Sequence, residues 1–251
     1  MRGMKIGKVE AYIAGKIAQG KGVFMGLIDP DKQSPERGLE LAKTLEDGGA
    51  DLVMLGGSIG VQGPVLEATA KMIKENIKIP LHVFPGNVGN VTYYADSIYF
   101  MSLLNSKNPY WITGAQTLGA PVIRQSRIEP IPTAYLVFEP GETVGRVGEA
   151  NLLPRDKPDL AVAYSLAAEY MGFRFVILES GSGAPEPVSL DIVRAIRATT
   201  GLTIVVAGGV KTPEQARALV EAGANCIHIG TKVESGDALQ VRQFAKAIHL
   251  E

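Results

Sequence analysis

The chain is short of several things. It has a single cysteine, Cys226, in 251 residues, which excludes an internal disulfide and any zinc site built from several thiolates. That usage fits the reducing cytoplasm, and without a base nearby in sequence Cys226 reads as a buried, inert thiol. His82, His228 and His249 are its only histidines, and none has a second histidine or a cysteine at ligand spacing. Each therefore reads as a core or rim residue rather than a ligand. No sign of charge dominates either, since 25 Lys and Arg face 26 Asp and Glu. With no basic stripe to track a phosphate backbone, nucleic acid is not expected as a partner. Apolar residues never run for the roughly 18 positions of a membrane span, and Met1 to Gly22 only alternates lysines with short apolar pairs. Neither secretion nor a transmembrane segment is expected.

What is present points to a packed protein, with 46% hydrophobic and 20% charged residues. Eight short β-rich runs recur: Phe24 to Ile28, Leu52 to Leu55, Leu81 to Phe84, Ile98 to Leu104, Thr133 to Phe138, Phe173 to Leu178, Leu202 to Ala207 and Cys226 to Ile229. Helical patterns separate most of them. Thr212-Pro213-Glu214-Gln215 has the form of a capping box with proline at the first helical position, and Ser34-Pro35 opens an earlier helix the same way. Gly49 to Gly56 (GADLVMLG) also echoes Gly223 to Gly230 (GANCIHIG), each copy a helix stop, a turn and a strand ending in glycine. Strand and helix in alternation imply a parallel sheet, and eight units close a barrel. The expected fold is α/β, a modified (βα)8 TIM barrel forming a single domain over residues 1–251.

Two stretches break the pattern. Pro85 to Asp96 is too short and too rich in Gly and Asn for a helix, so the third helix is expected to be missing or replaced by a loop. Glu139 to Lys157, with Pro140, Gly141, Gly145, Gly148 and Pro154, reads as a long excursion on the catalytic side, able to fold over a ligand. For Ile98 to Leu104, strand is only modestly favoured over a short helix.

The chemistry gathers at strand ends. The sixth run leads into Glu179-Ser180-Gly181-Ser182-Gly183, the seventh into Gly208-Gly209 and the eighth into Gly230-Thr231. In a parallel barrel these turns lie side by side on one rim, where bare N–H groups and small hydroxyls can ring a phosphate. Glu179 follows Phe175 and Ile177 at alternate positions, which aims it at the barrel mouth as a candidate base. The competing reading ties it to backbone N–H groups or a neighbouring lysine to hold the loop. Asp29, in register with Met25 and Leu27 at the end of the first run, suits Mg²⁺, or else forms an Asp-Pro-Asp turn without metal. Ser58, after Gly56-Gly57, is placed to join the same metal or phosphate, or to act only as a cap for the segment after it. The chain is only 6% aromatic, yet Tyr93, Tyr94, Tyr99, Phe100, Tyr110 and Trp111 cluster beside the abbreviated third unit. They read as a groove for a long apolar ligand or, more plainly, as core filling with a subunit contact.

These pieces together resemble the geranylgeranylglyceryl phosphate synthase family and its bacterial heptaprenylglyceryl phosphate synthase relatives. The resemblance runs from about Phe24 to the C-terminal helix. It is carried by Asp29-Pro30-Asp31-Lys32, Leu55-Gly56-Gly57-Ser58, His82-Val83-Phe84-Pro85-Gly86, Ser102-Leu103-Leu104-Asn105-Ser106, Asn108-Pro109-Tyr110-Trp111, Leu178 to Ala184, Gly208-Gly209-Val210 and Gly230-Thr231. It implies a Mg²⁺-dependent prenyltransferase that joins sn-glycerol 1-phosphate to a polyprenyl diphosphate, geranylgeranyl or longer, with loss of diphosphate. It further implies metal positions at Asp29 and Ser58, and a glycerol-phosphate site at Ile177, Leu178, Glu179, Ser180, Gly181, Ser182, Gly183, Gly208, Gly209, Gly230 and Thr231. Tyr94 and Trp111 are the candidates for a prenyl groove, Glu179 for the base, and a homo-oligomer is expected from the resemblance alone. One departure is Ile177, where the family usually has tyrosine, so a hydroxyl contact to the glycerol is absent or comes from another residue. Leu27, where the bacterial branch has lysine, places the chain nearer the second, mainly archaeal, group. A phosphate-binding barrel isomerase or indole-type synthase would share the rim glycines, and so would a non-catalytic phosphate sensor.

Overall fold

The structure, a computed structural model, describes residues 5–56, 63–230 and 236–251. Eight parallel strands close into a barrel in sequence order: β1 (Val23–Ile28), β2 (Leu52–Leu55), β3 (Leu81–Val83), β4 (Ser97–Leu103), β5 (Glu129–Val137), β6 (Phe175–Glu179), β7 (Thr203–Ala207) and β8 (Cys226–Ile229). The run at Ile98 is a strand, as favoured. Outside lie α2 (Pro35–Asp47), α3 (Pro64–Lys74), α4 (Ala115–Ser126), α6 (Pro158–Tyr170), α7 (Leu190–Thr199), α8 (Pro213–Glu221) and α9 (Ala238–Ile248). A short α5 (Glu142–Val147) sits in the 139–157 excursion. Among the described residues no helix is long and apolar enough to cross a membrane.

Side-chain alternation along each strand divides the core in two. Met25, Leu52, Met54, Tyr99, Ile131, Tyr135, Phe175, Ile177, Val205 and Cys226 fill the barrel interior. Their neighbours Phe24, Val53, Ile98, Ala134, Val176, Ile204 and Ile227 face the helices. The internal echo turns out to be one hydrogen-bond device used twice. Asp51 donates its N–H to Phe24 O and accepts Phe24 N–H on Oδ2, both at 2.8 Å. Asn225 repeats this with Ile204, at 2.8 and 2.9 Å. The capping box at Thr212 and Gln215 forms as its spacing implies, and Ser34 Oγ accepts from Arg37 N–H.

No helix follows β3. Residues 84–96 run as turns, with Asn90 Oδ1 accepting the Gly86 and Asn87 N–H groups. The outer face of β4 is thereby left open beside α4.

One element was not legible in the sequence. Helix α1 (Lys8–Ala18) closes the opposite end of the barrel, burying Val9 and Ile13 on the interior core. Its N-cap, Gly7, has no side chain to offer, and the first N–H groups are satisfied by Glu129, whose carboxylate accepts from Val9 and Glu10 at 2.8 and 3.0 Å. A cap 120 residues away leaves no local signal.

Two imidazoles lie inside the barrel. His82 Nδ1 meets Ser97 Oγ at 2.7 Å and His228 Nε2 meets Tyr99 OH at 3.0 Å. Burial depresses each pKa to about 3, so both are neutral when folded and take up a proton only on unfolding below about pH 6.5. The unfolded chain then binds more protons, and each histidine removes roughly 1.4 kcal/mol of stability per pH unit of acidification between those two values. Thermal melts of wild type and His82→Phe from pH 7 to 5 should show a shallower acid loss in the variant. Parallel curves would refute the assignment.

Candidate active site

The C-terminal ends of the strands meet around one cavity of about 610 Å³. Its wall takes Asp29 from just past β1, Phe84 from just past β3, Tyr135 from β5, and Glu179, Ser182 and Gly183 from β6 and its turn. Gly208 and Gly209 come from the turn after β7, His228 from β8 and Gly230 from just past it. The rim glycines have a stereochemical reason to be glycine. Gly181, Gly183, Gly208 and Gly209 sit at φ of +99, +84, +76 and +74°, in the left-handed region that L side chains avoid. A Cβ on Gly208 would also stand 2.4 Å from Glu179 Oε1, and one on Gly209 would stand 2.2 Å from the Glu186 carbonyl.

Glu179 is held at both oxygens. Oε1 accepts the Gly181 N–H at 2.7 Å and Oε2 accepts the Tyr135 hydroxyl at 3.1 Å. Burial raises its pKa to about 7 against the opposing pull of these two donors, Gly181 and then Tyr135. The carboxylate is therefore tied to the loop, with a pKa that brings proton exchange near neutrality.

Asp29 is largely buried at the rim, its Oδ1 accepting from Asp31 N–H at 3.1 Å and its Oδ2 facing Lys32 Nζ at 3.3 Å. It is a turn former and a carboxylate on the cavity wall at once, with Asp31 and Lys32 beside it. Ser58 and Thr231 lie outside the described residues. Among the described residues no cluster of three or more His, Cys, Asp or Glu forms a metal cage.

The remaining expected positions divide. Ile177 and Leu178 are fully buried and belong to the inner and outer cores. Alternation through β6 puts Ile177 beneath the cavity and turns Leu178 to the helices, and only Glu179 at the strand end reaches the wall. Ser180 is buried too, its Oγ without a partner, and Gly181 serves through its N–H. Tyr94 corrects an expectation. It is 38% exposed, with Lys71 Nζ 6.0 Å from its ring, and is off the cavity wall because the loop turns it toward α3. Trp111 does line the cavity, carried by a π-helical turn at Tyr110–Gly114. The aromatic cluster is thus split, with Tyr99, Phe100 and Trp111 on the wall and Tyr93, Tyr94 and Tyr110 outward.

Several wall residues were missed. Phe84 lies edge-on to Tyr99, Tyr135 and His228, with centroids 5.7, 5.8 and 5.4 Å apart. Tyr135 pairs with Ile177 across β5 and β6; alternation with Ile131 and Thr133 is the signal in sequence for its face, but only the register brings it to Glu179. The cavity also passes over the end of β4 to outward-facing Ile98 and Phe100, then along Ala115, Gly119 and Ile123 of α4, spaced four apart. Gly119 is buried, yet a Cβ there would meet nothing within 4 Å. It opens onto the channel left by the absent helix.

A closed (βα)8 barrel whose strand ends gather glycine turns, a buried carboxylate and an apolar channel in one cavity has the form of an enzyme's ligand site. The chain belongs to the PcrB family, which it matches over residues 16–248. It is 50% identical over 237 residues to the geranylgeranylglyceryl phosphate synthase of Pyrococcus horikoshii, covering 94% of this chain and 93% of that one. The Thermococcus kodakarensis enzyme of the same name is 49% identical, with 94% of each covered. Among solved structures, the (S)-3-O-geranylgeranylglyceryl phosphate synthase of Thermoplasma acidophilum, in complex with its substrate sn-glycerol-1-phosphate, matches with a TM-score of 0.93 at 36% identity. That match covers 98% of this chain and 100% of the other.

The Tyr135 hydroxyl favours the charged form of Glu179, so Tyr135→Phe should move the Glu179 titration upward from about 7. Carboxylate infrared difference spectra against pH read this directly, and an unmoved or lowered midpoint would contradict the contact.

Proposed function

We propose that this protein is a prenyltransferase that joins sn-glycerol 1-phosphate to geranylgeranyl diphosphate, forming an ether bond and releasing diphosphate. One observation carries the reading: Glu179 stands on the same cavity wall as the glycine cup and the apolar channel, where an acceptor hydroxyl and the head of a prenyl chain can meet. The relatives' shared activity supports it. The channel along Phe100, Trp111, Gly119 and Ile123 disfavours a barrel isomerase or synthase acting on small sugar phosphates, which has no use for such a tail.

The acceptor's phosphate takes the N–H groups around Ser182, Gly183, Gly208, Gly209 and Gly230, which aims its terminal hydroxyl at Glu179. The C1–O bond to diphosphate breaks as the hydroxyl oxygen bonds to C1. The proton passes to Glu179, deprotonated above its pKa of about 7. Since an allylic C1 is strongly electrophilic, this base contributes roughly 10²- to 10⁴-fold. Phe84 and the channel wall keep water from the reacting carbon.

Asp29 fits Mg²⁺, which takes one or two carboxylates and completes its shell with phosphate oxygens and water. Asp29, with Ser58, would hold the ion. When bound it offsets the charge of the leaving diphosphate. Assembly into a homo-oligomer belongs to the same reading, supported by Tyr170 and Met171 exposed side by side at the end of α6.

Mass analysis of products from sn-glycerol 1-phosphate with a mixture of farnesyl, geranylgeranyl and heptaprenyl diphosphates should show the geranylgeranyl ether foremost. No ether from any donor would sink the reading. Glu179→Gln should keep glycerol phosphate binding by calorimetry while turnover drops at least roughly a hundredfold; full turnover would remove its role as base. Asp29→Asn should raise the Mg²⁺ concentration at half-maximal rate, and an identical Mg²⁺ curve would rule out metal binding by Asp29.

A further inference from the structure

The 139–157 excursion ends in a side chain that the reaction does not use. Arg155 Nη1 donates to the carbonyls of Glu139 at 3.4 Å and Glu186 at 3.3 Å, and Nη2 to that of Pro187 at 2.5 Å. The Glu186 carboxylate lies 3.6 Å from the same guanidinium. In return the Arg155 carbonyl accepts from Ser189 Oγ at 3.2 Å, the N-cap of α7. One planar fork thus gathers the end of β5, its own loop and the loop from β6 to α7. A lysine, a single ammonium on a flexible stem, does not match that geometry.

Two of the three carbonyls it holds, those of Glu186 and Pro187, belong to the backbone on which the anion cup leans. Gly209 stands so close to Glu186 and Pro187 that a Cβ would fall 2.2 Å from Glu186 C and O and 2.5 Å from Pro187 N. On the other side Gly208 leans on Gly181 and Glu179. The β6 turn therefore fixes one glycine of the pair and residues 186–187 fix the other. Among the described residues, Arg155 is the only hydrogen-bond donor to the Glu186 and Pro187 carbonyls. Val188 anchors the following residue in the core, which leaves 186–187 to pivot about it once the guanidinium is gone.

We propose that Arg155 is a positioning residue for the acceptor phosphate: by clamping the Glu186–Pro187 backbone against Gly209 it sets the width of the glycine cup. It touches neither substrate nor reacting atoms. Its loss loosens the grip on the phosphate and leaves the channel and Glu179 in place, so the effect falls on acceptor affinity. This rests on the acceptor site proposed above, and the use of two phosphate probes separates the two ideas.

The test is calorimetry with sn-glycerol 1-phosphate and with inorganic phosphate on wild type, Arg155→Ala and Arg155→Lys, alongside steady-state kinetics and thermal melts. For Arg155→Ala the Kd for both probes and the acceptor KM should rise roughly tenfold or more, since small displacements of a phosphate site carry large losses. Its kcat and donor KM should stay within about threefold of wild type. Added ethylguanidinium should restore acceptor affinity to Arg155→Ala, and Arg155→Lys should recover only part of it. Acceptor Kd within about twofold of wild type in folded Arg155→Ala overturns the proposal, as does a loss shared equally by donor and acceptor or one that ethylguanidinium leaves untouched. Should Arg155→Ala not fold, Arg155→Lys and Arg155→Gln, which keep the stem, decide by the same ratios. Wild type that takes phosphate but not glycerol phosphate, with phosphate weakened in the variants, sinks the acceptor assignment and leaves the role of Arg155 standing. Wild type that takes neither overturns both.

Discussion

A carboxylate taken out of water costs several kcal/mol unless donors meet it, and the site is organised around how that cost is met at Glu179. A single backbone N–H, from Gly181, and a single hydroxyl, from Tyr135, hold its two oxygens. This compensation is partial, and the residue is left near neutrality in pKa. More donors would lock it as a permanent anion, useless as a proton acceptor, and none would keep it protonated. The Gly181 N–H is available because that residue adopts a positive φ, and Gly208 must lack a Cβ because Glu179 occupies the space. Two of the cup's glycines therefore follow from where the carboxylate is.

The channel follows from an omission. In a regular barrel the helix after β3 would cover the outer faces of β3 and β4. Here the turns of residues 84–96 replace it, and outward Ile98 and Phe100, otherwise core residues, become wall. Helix α4 answers with its least bulky face, Ala115 and Gly119, while Leu118 and Val122 point away. A barrel interior is already filled by layers of side chains, with Phe84, Tyr99, Tyr135 and His228 closing it from below. The open space therefore lies over the rim, which is where the helix is lacking.

What the sequence discloses is what short-range physics controls. The strands were legible from β-rich runs because strand and turn are local choices, and the Thr212 capping box because its partners are three residues apart. The repeated Asp51 and Asn225 could be seen as an echo, though its meaning, the same pair of bonds to the neighbouring strand, needed the barrel closed. Helix α1, Tyr135 and Arg155 escaped because each acts on groups far away in the chain. Trp111 and Tyr94 looked alike as members of one aromatic cluster. A π-helical turn that rotates one inward and a loop that rotates the other outward are set by tertiary packing, not by the residues' own preferences.

The polar residues of the Ser102 to Asn108 stretch show why an ordered motif need not be a binding motif. Asn105 is buried, yet it does not face the cavity: its side chain donates to Val137 O and Asn151 O and accepts from Val137 N–H. Ser106 Oγ donates to Gly148 O, and Asn108 Nδ2 to Glu149 Oε1. The stretch that leads to Trp111 is in this way stitched to the residues just after α5, and α5 contributes Thr143, Val144 and Val147 to the opposite wall. Gly141 N–H in turn donates to Ser180 O, and Gly181 packs on Glu142. The excursion from β5 therefore touches the channel wall at one end and the glycine turn of β6 at the other, with Arg155 extending the same chain of contacts to Gly209. A loop that must lie across two binding regions needs buried, fully paired polar anchors, and an amide such as Asn105, able to donate and accept at once, supplies them where a charged residue would carry an unpaired cost.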